Sequence, residues 1–253
     1  MLYPQAFLDL QLLFARRMSA ISGQPFHESV LHYTALYRIL GLDWNLDPHD
    51  PVWARYLAGL RGDDAEADGA WTYQVYCERN ALGVIPDHVY PRWGCFAYEY
   101  QPDAKTIRLH FGNLDASGYG PLHHLRTEAR RAELWSMFSS IQRAHPDAAY
   151  VHGGSWLYNR EEYRRLFPPA FGASAQAMQA PLIGRGLWGQ FLRHGERINA
   201  ELAARFTASV ATLAHADDYA GCFPYQVLLT HAPIADFYAF YGIAAVEAQA
   251  AGG

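Results

Sequence analysis

Residues 94–121 read GCFAYEYQPDAKTIRLHFGNLDASGYGP. Two short runs in this stretch, Gly94–Tyr100 and Thr106–Phe111, alternate in character, and Pro102-Asp103-Ala104 supplies a turn between them. The pattern predicts a β-hairpin. Successive side chains of a strand point to opposite faces, so Ile107, Leu109 and Phe111 should face one way and Arg108 and His110 the other. The hairpin runs into a loop, Gly112–Pro121, with three glycines. A long helix is expected over 122–144, with Leu125, Ala129, Trp135, Phe138 and Ile141 among its apolar positions.

Upstream, Trp71–Glu78 (WTYQVYCE) is rich in aromatic and β-branched residues and reads as a further strand. Residues 61–70 (RGDDAEADGA) read as an exposed loop and a domain boundary. The first sixty residues read as helices. Phe7, Leu10, Phe14 and Met18 form one stripe, and Phe26, Val30, Tyr33, Tyr37 and Leu40 form a second. Asp50-Pro51 opens a third helix carrying Trp53, Tyr56, Leu57 and Leu60.

Downstream, strands are expected at Ala148–Val151, Phe171–Met178 and Tyr225–Thr230. Helices are expected at Arg160–Phe167, Leu187–Arg193 and Ile198–Leu213, and after Pro233 with Gly242 as its cap. The fold class is therefore α+β: a central, mostly antiparallel or mixed sheet flanked by N-terminal and C-terminal helices. The helical segment 1–60 would pack on a core of residues 71–253, or the whole chain would be one domain.

Composition narrows the function. Hydrophobic residues make up 51% of the chain and charged residues 18%, which supports a packed core. The net charge of -5 gives no general attraction for nucleic acid or anionic membranes, so neither is an expected partner. The 15% aromatic share suits large packed surfaces or a cleft for a small-molecule ligand. Cys77, Cys95 and Cys222 are scattered and odd in number, which argues against a disulfide framework or a thiolate zinc site. The opening MLYPQAFLDLQLLFARR has no basic leader, and no run is long enough to span a bilayer, so the cytoplasm is the expected location. The pairs His123/His124 and His27/His32 lack the spacing that puts two ligands on one helix face, and no metal site is expected.

A strand that runs into a glycine loop and then a helix presents unpaired amides and a positive dipole end to an anion. On these residues the chain resembles the GCN5-related N-acetyltransferase superfamily over about residues 71–180. That family follows a three-strand meander with a loop of the form Arg/Gln-x-x-Gly-x-Gly/Ala, which cradles the pyrophosphate of acetyl-coenzyme A. Here the loop is Asp115-Ala116-Ser117-Gly118-Tyr119-Gly120. The glycines match, but Asp115 stands where a cationic or amide side chain is usual, and a carboxylate there would repel a diphosphate. The resemblance implies an acyl-CoA-dependent N-acyltransferase. Acetyl-CoA or another acyl-CoA would bind at Ser117, Gly118, Tyr119, Gly120 and Leu122, with Asn159 at the family's Asn position. Glu99 and His110 would be the acid–base residues on the central strands. Tyr163 and Tyr158 neighbour the position of the family's thiolate-protonating Tyr, which itself falls near Leu166-Phe167.

Two other readings stay open. Arg193-His194-Gly195-Glu196 matches the signature of histidine phosphatases, with His231 as a second histidine; the same four residues also read as the cap of a helix C-terminus. A non-catalytic binding module with an aromatic cleft is the third reading.

Overall fold

The computed structural model describes residues 2–83, 90–178, 182 and 185–244. The chain divides into two compact units, residues 1–88 with 179–226, and residues 89–178 with 227–253.

The first unit opens with helices α1 (Gln5–Ser22), α2 (Phe26–Tyr33), α3 (Leu36–Ile39), α4 (Pro51–Ala58) and α5 (Ala65–Ala81). α1 buries Phe7, Leu10, Phe14 and Met18 and ends at Gly23 in the left-handed region (φ +74°), whose N–H donates to the Ser19 carbonyl. The second stripe is not one helix. The Thr34 hydroxyl donates to the Val30 carbonyl and accepts the Leu36 N–H, while the Ala35 N–H is taken by Gln11. These local bonds compete with the helical ladder and split it into α2 and α3. Asp50 caps α4 by accepting the Val52 and Trp53 N–H groups, with Pro51 at its first position.

Two sequence expectations fail at α5. Trp71–Glu78 is helical rather than extended, and no boundary falls in 61–70, because α5 starts at Ala65 with Asp64 as its cap. The inward positions are Asp68, Thr72, Val75 and Tyr76, which is helical spacing. Asp68 is fully buried, paired with Arg16, and accepts the N–H groups of Arg61 and Gly62. The Thr72 hydroxyl contacts Tyr56 Oη at 3.0 Å. These contacts override the strand propensity of the segment.

The second unit begins with β1 (Arg92–Trp93), β2 (Phe96–Gln101) and β3 (Thr106–Phe111), followed by helix α6 (Thr127–Ala144). Then come β4 (Tyr150–Ser155), α7 (Glu161–Arg164), α8 (Pro169–Ala173) and β5 (Gln176–Met178). α7 ends at Arg164, short of Pro168-Pro169, and Pro169 opens α8. The chain next returns to the first unit for α9 (Arg185–Trp188), the hairpin β6 (Leu192–Arg193) and β7 (Arg197–Ile198), and α10 (Ala200–Thr212). There Phe14, Trp188, Phe191, Phe206 and Phe223 form one cluster of ring contacts. Finally β8 (Val227–Pro233) and α11 (Ile234–Tyr241) complete the second unit, with Gly242 left-handed at the helix end.

Among the described residues the second unit holds a six-stranded mixed sheet in the order β1-β2-β3-β4-β8-β5. All neighbours are antiparallel except β3 and β4, which are parallel and joined through α6. The α+β class expected from sequence is present. The inner face carries Phe96, Ile107, Leu109 and Val151, with Leu134, Phe138, Ile141 and Phe237 in the same core. Phe138 stacks on Phe237 at 4.8 Å and on Tyr241 at 5.4 Å, tying α6 to α11. Gly94 turns β1 into β2 at φ +59°, and a Cβ there would overlap the Glu133 carboxylate that accepts the Cys95 N–H. Among the described residues no helix is long and apolar enough to cross a membrane.

Candidate functional site

Strand alternation puts Ile107 and Leu109 inside and leaves Arg108 and His110 on the outer face, as the sequence predicts. Register then assembles a row that the sequence does not display. Glu99 lies opposite Arg108, Arg108 opposite His152, and His152 opposite His231. With strands about 4.8 Å apart, this is one continuous polar row across four strands.

His110 sits beside that row. Tyr90 stacks on its ring at 4.8 Å with the planes only 11° apart. Glu99 Oε2 lies 3.7 Å from both Arg108 Nη1 and His110 Nε2, a charge contact longer than a hydrogen bond. His110 Nε2 is buried and makes no hydrogen bond among the described residues. Burial, and then the charge of Arg108, lower the His110 pKa against the opposing pull of Glu99, so the ring is neutral at neutral pH. Burial and then the Glu99 charge raise the pKa of Tyr90. The structure therefore brings together two of the three residues expected to be catalytic, Glu99 and His110.

Tyr163 lies on the other face. It is fully buried, its ring 5.2 Å from Phe111 and 5.0 Å from Tyr158. Burial, and then Tyr158, push its pKa well above the ordinary phenol value, so it is always protonated at neutral pH.

The parallel pairing of β3 and β4 covers Thr106↔Tyr150, Ile107↔Val151 and Arg108↔His152 and stops there. Leu109–Phe111 of β3 continue against β2, and Gly153–Ser155 of β4 continue against β8. The sheet is thus unzipped next to His110. Tyr158, Tyr163 and Phe167 lie together on the inner side of this opening. Gly153 is required there, because a Cβ would overlap the Tyr158 hydroxyl.

The expected phosphate loop has a different construction from the one the sequence suggests. α6 starts at Thr127, not near Leu122, and a 3-10 turn over His124–Arg126 precedes it. The Ser117 N–H donates to Asp115, the His123 N–H to Gly120, and the Leu125 N–H to His123 Nδ1. Ser117, Gly118 and Tyr119 are exposed, Gly120 is half-buried, and Leu122 packs against the core. Asp115 does not face solvent. Its side chain is 1% exposed and is held by Arg126 at 2.7 Å and Arg130 at 3.0 Å. Burial alone would raise its pKa, but hydrogen bonds from Ser117 and Arg126 and the charge of Arg130 hold it far below the usual carboxylate range. Arg130 is 2% exposed and also pairs with Glu133 at 2.7 Å. The Asn159 amide donates to the Trp156 carbonyl at 2.7 Å within the turn after β4.

Arg193-His194-Gly195-Glu196 does not cap a helix. It forms the turn of the β6–β7 hairpin, with Gly195 and Glu196 at positive φ. His231, its suggested partner, belongs to the other unit and faces His152. The rings of His152 and His231 are 6.1 Å apart and inclined at 74°. Burial, and then His231, lower the His152 pKa. A cavity of about 170 Å³ lies beside them, lined by both histidines with Ser174, Gln176, Leu229 and Thr230 among others.

Compared with family models, curated proteins and solved structures, the chain matches none. Sequence reasoning missed the contribution of Tyr90 and the His152–His231 pair. The partners of Asp115 did leave a signal: Arg126 and Arg130 are four apart, so both can reach one point from a helix face.

Proposed function

We propose that the sheet unit is an acyltransferase related to the GCN5 type, moving an acyl group from a coenzyme A thioester to an amine. The observation that carries this reading is the end of the β3–β4 pairing beyond Arg108 and His152, with His110 on the stretch of β3 that leaves it. In the reaction the amine nitrogen attacks the thioester carbonyl, the carbon–sulfur bond breaks, and the amide and free thiol leave. The His110 imidazole takes the proton that the nucleophilic nitrogen loses and returns it to the departing thiolate. Glu99, 3.7 Å away, stabilises the imidazolium that results. Tyr90 fixes the ring plane by stacking. The objection that Asp115 repels a diphosphate weakens, because its charge is buried and matched by two arginines, of which Arg126 stays 30% exposed at the loop. The exposed Gly118 and Tyr119 backbone and the outward side of the Arg126 guanidinium would then hold the phosphates.

The test uses the full chain, acetyl-CoA and a panel of primary amines, with released thiol as the readout. The expected result is thiol release that depends on both substrates and falls about 10²–10⁴-fold in His110→Asn. Acetyl-CoA alone should raise the melting temperature by linkage. No thermal shift together with no thiol release, for any amine in the panel, would remove the proposal.

A further inference from the structure

We infer that His152 and His231 form a binding site for a late first-row divalent transition-metal ion of the class of Cu²⁺, Ni²⁺ and Zn²⁺. This inference stands independently of the acyltransferase reading. The two residues are directly opposed across β4 and β8, so their side chains leave the sheet from adjacent points on the same face. The contact between the rings is wide, 6.1 Å between centroids at 74°. Two imidazoles sharing one ion through metal–nitrogen bonds of about 2.0–2.1 Å have centroids roughly 5–6 Å apart, so small side-chain rotations suffice.

The cavity lining decides the chemistry. Among the described residues, no carboxylate, ammonium or guanidinium group lines it, and Arg108, the cross-strand neighbour of His152, is paired with Glu99 at 3.7 Å. A calcium or magnesium ion would require carboxylate oxygens, and an anion would require a fixed positive charge. Imidazole nitrogen without either selects late transition metals. The volume of about 170 Å³ exceeds that of an ion with a few waters, each water taking about 30 Å³. Ser174 supports the site from behind: its Oγ accepts the His231 N–H at 2.9 Å and donates to the Phe171 carbonyl at 2.8 Å, fixing β8 against the end of α8. Gln176 lies on the rim, where its amide can hold a metal-bound water. Among the described residues no cluster of three or more His, Cys, Asp and Glu side chains could hold a metal. The ion would therefore take two protein ligands, with water at its remaining positions.

The experiment takes the full chain, stripped with chelator, and titrates it with CuSO₄ and separately NiCl₂, by calorimetry and by Cu²⁺ electron paramagnetic resonance. One saturable equivalent in the micromolar range or tighter is expected, with superhyperfine structure from two nitrogen ligands. His152→Gln and His231→Gln should each weaken binding at least tenfold, while the exposed His27→Gln leaves it unchanged and MgCl₂ does not bind. Both cavity histidines are surface residues, so unchanged circular dichroism will show that the variants are folded. Absence of a saturable equivalent, or equal affinity in the two variants and the native chain, would overturn the inference.

Discussion

The two faces of the six-stranded sheet are made from the same strands yet obey different rules. On the inner face Phe96, Ile107 and Val151 are fully buried, and each is fixed by area removed from water and by close packing. On the outer face Glu99, Arg108, His152 and His231 share a row set by strand register, and Arg108, His152 and His231 are exposed. The inner face is held by burial, and the outer face carries the polar row. Substitutions on the two faces should therefore give effects of different size and kind.

The largest effect is expected inside. Phe138 is fully buried and stacks on Phe237 and Tyr241. Phe138→Ala should cost about 3–5 kcal/mol in urea unfolding, through lost transfer energy and a residual cavity. Asp115 tests the buried charges beside that core. Asp115→Ala leaves Arg130, which is 3% exposed in its side chain, with Glu133 but without its second carboxylate, and should cost about 3 kcal/mol. Because its folded pKa lies below the unfolded value, the Asp115 contribution is complete above about pH 4 and fades as pH falls below that. The Asp115→Asn variant should therefore lose less stability than the native chain between neutral pH and acid. An identical acid profile would show that the carboxylate is not charged in the fold.

Gly153 links the faces, since its strand carries His152 outward while its own missing Cβ leaves room for Tyr158 inward. Gly153→Ala should cost about 1–3 kcal/mol by overpacking. Tyr158→Phe removes the overlapping hydroxyl, so the double variant should lose less than the sum of the two single variants. Strict additivity would mean that Tyr158 moves aside freely.

The same division explains what could be read from sequence. The β2–β3 hairpin was legible because alternation and the Pro102-Asp103 turn are local signals. Arg108 and His110 were legible as outward positions for the same reason. Trp71–Glu78 was misread because its residues favour strands, while the stripe that makes it a helix includes Asp68 and Thr72, whose burial makes sense only beside Arg16 and Tyr56. The helix head was placed five residues early because the turn over 123–126 uses side-chain acceptors, including His123 Nδ1, that no periodicity encodes. The His152–His231 pair was not legible at all. It depends on which residue of β8 meets which residue of β4, and that register is set by packing across the whole sheet.

The smallest effects on stability are expected from the outer face, which makes it the sharpest test of the comparison. His152→Ala and His231→Ala should shift unfolding free energy by no more than about 0.5 kcal/mol. His110 should show a small dependence on pH instead. Its folded pKa lies below the unfolded value of about 6.5, so the unfolded chain takes up its proton first as pH falls. The native state then loses a little stability from that value down to the folded pKa, and His110→Asn should flatten this part of the curve. Glu99 is the opposing charge that keeps the His110 pKa from falling further. Glu99→Gln should therefore move the acid limb of any thiol-release profile to lower pH while leaving the inner core untouched. An acid limb that stays in place in Glu99→Gln would mean that the 3.7 Å contact does not couple the two groups, and that His110 is tuned by burial and Arg108 alone.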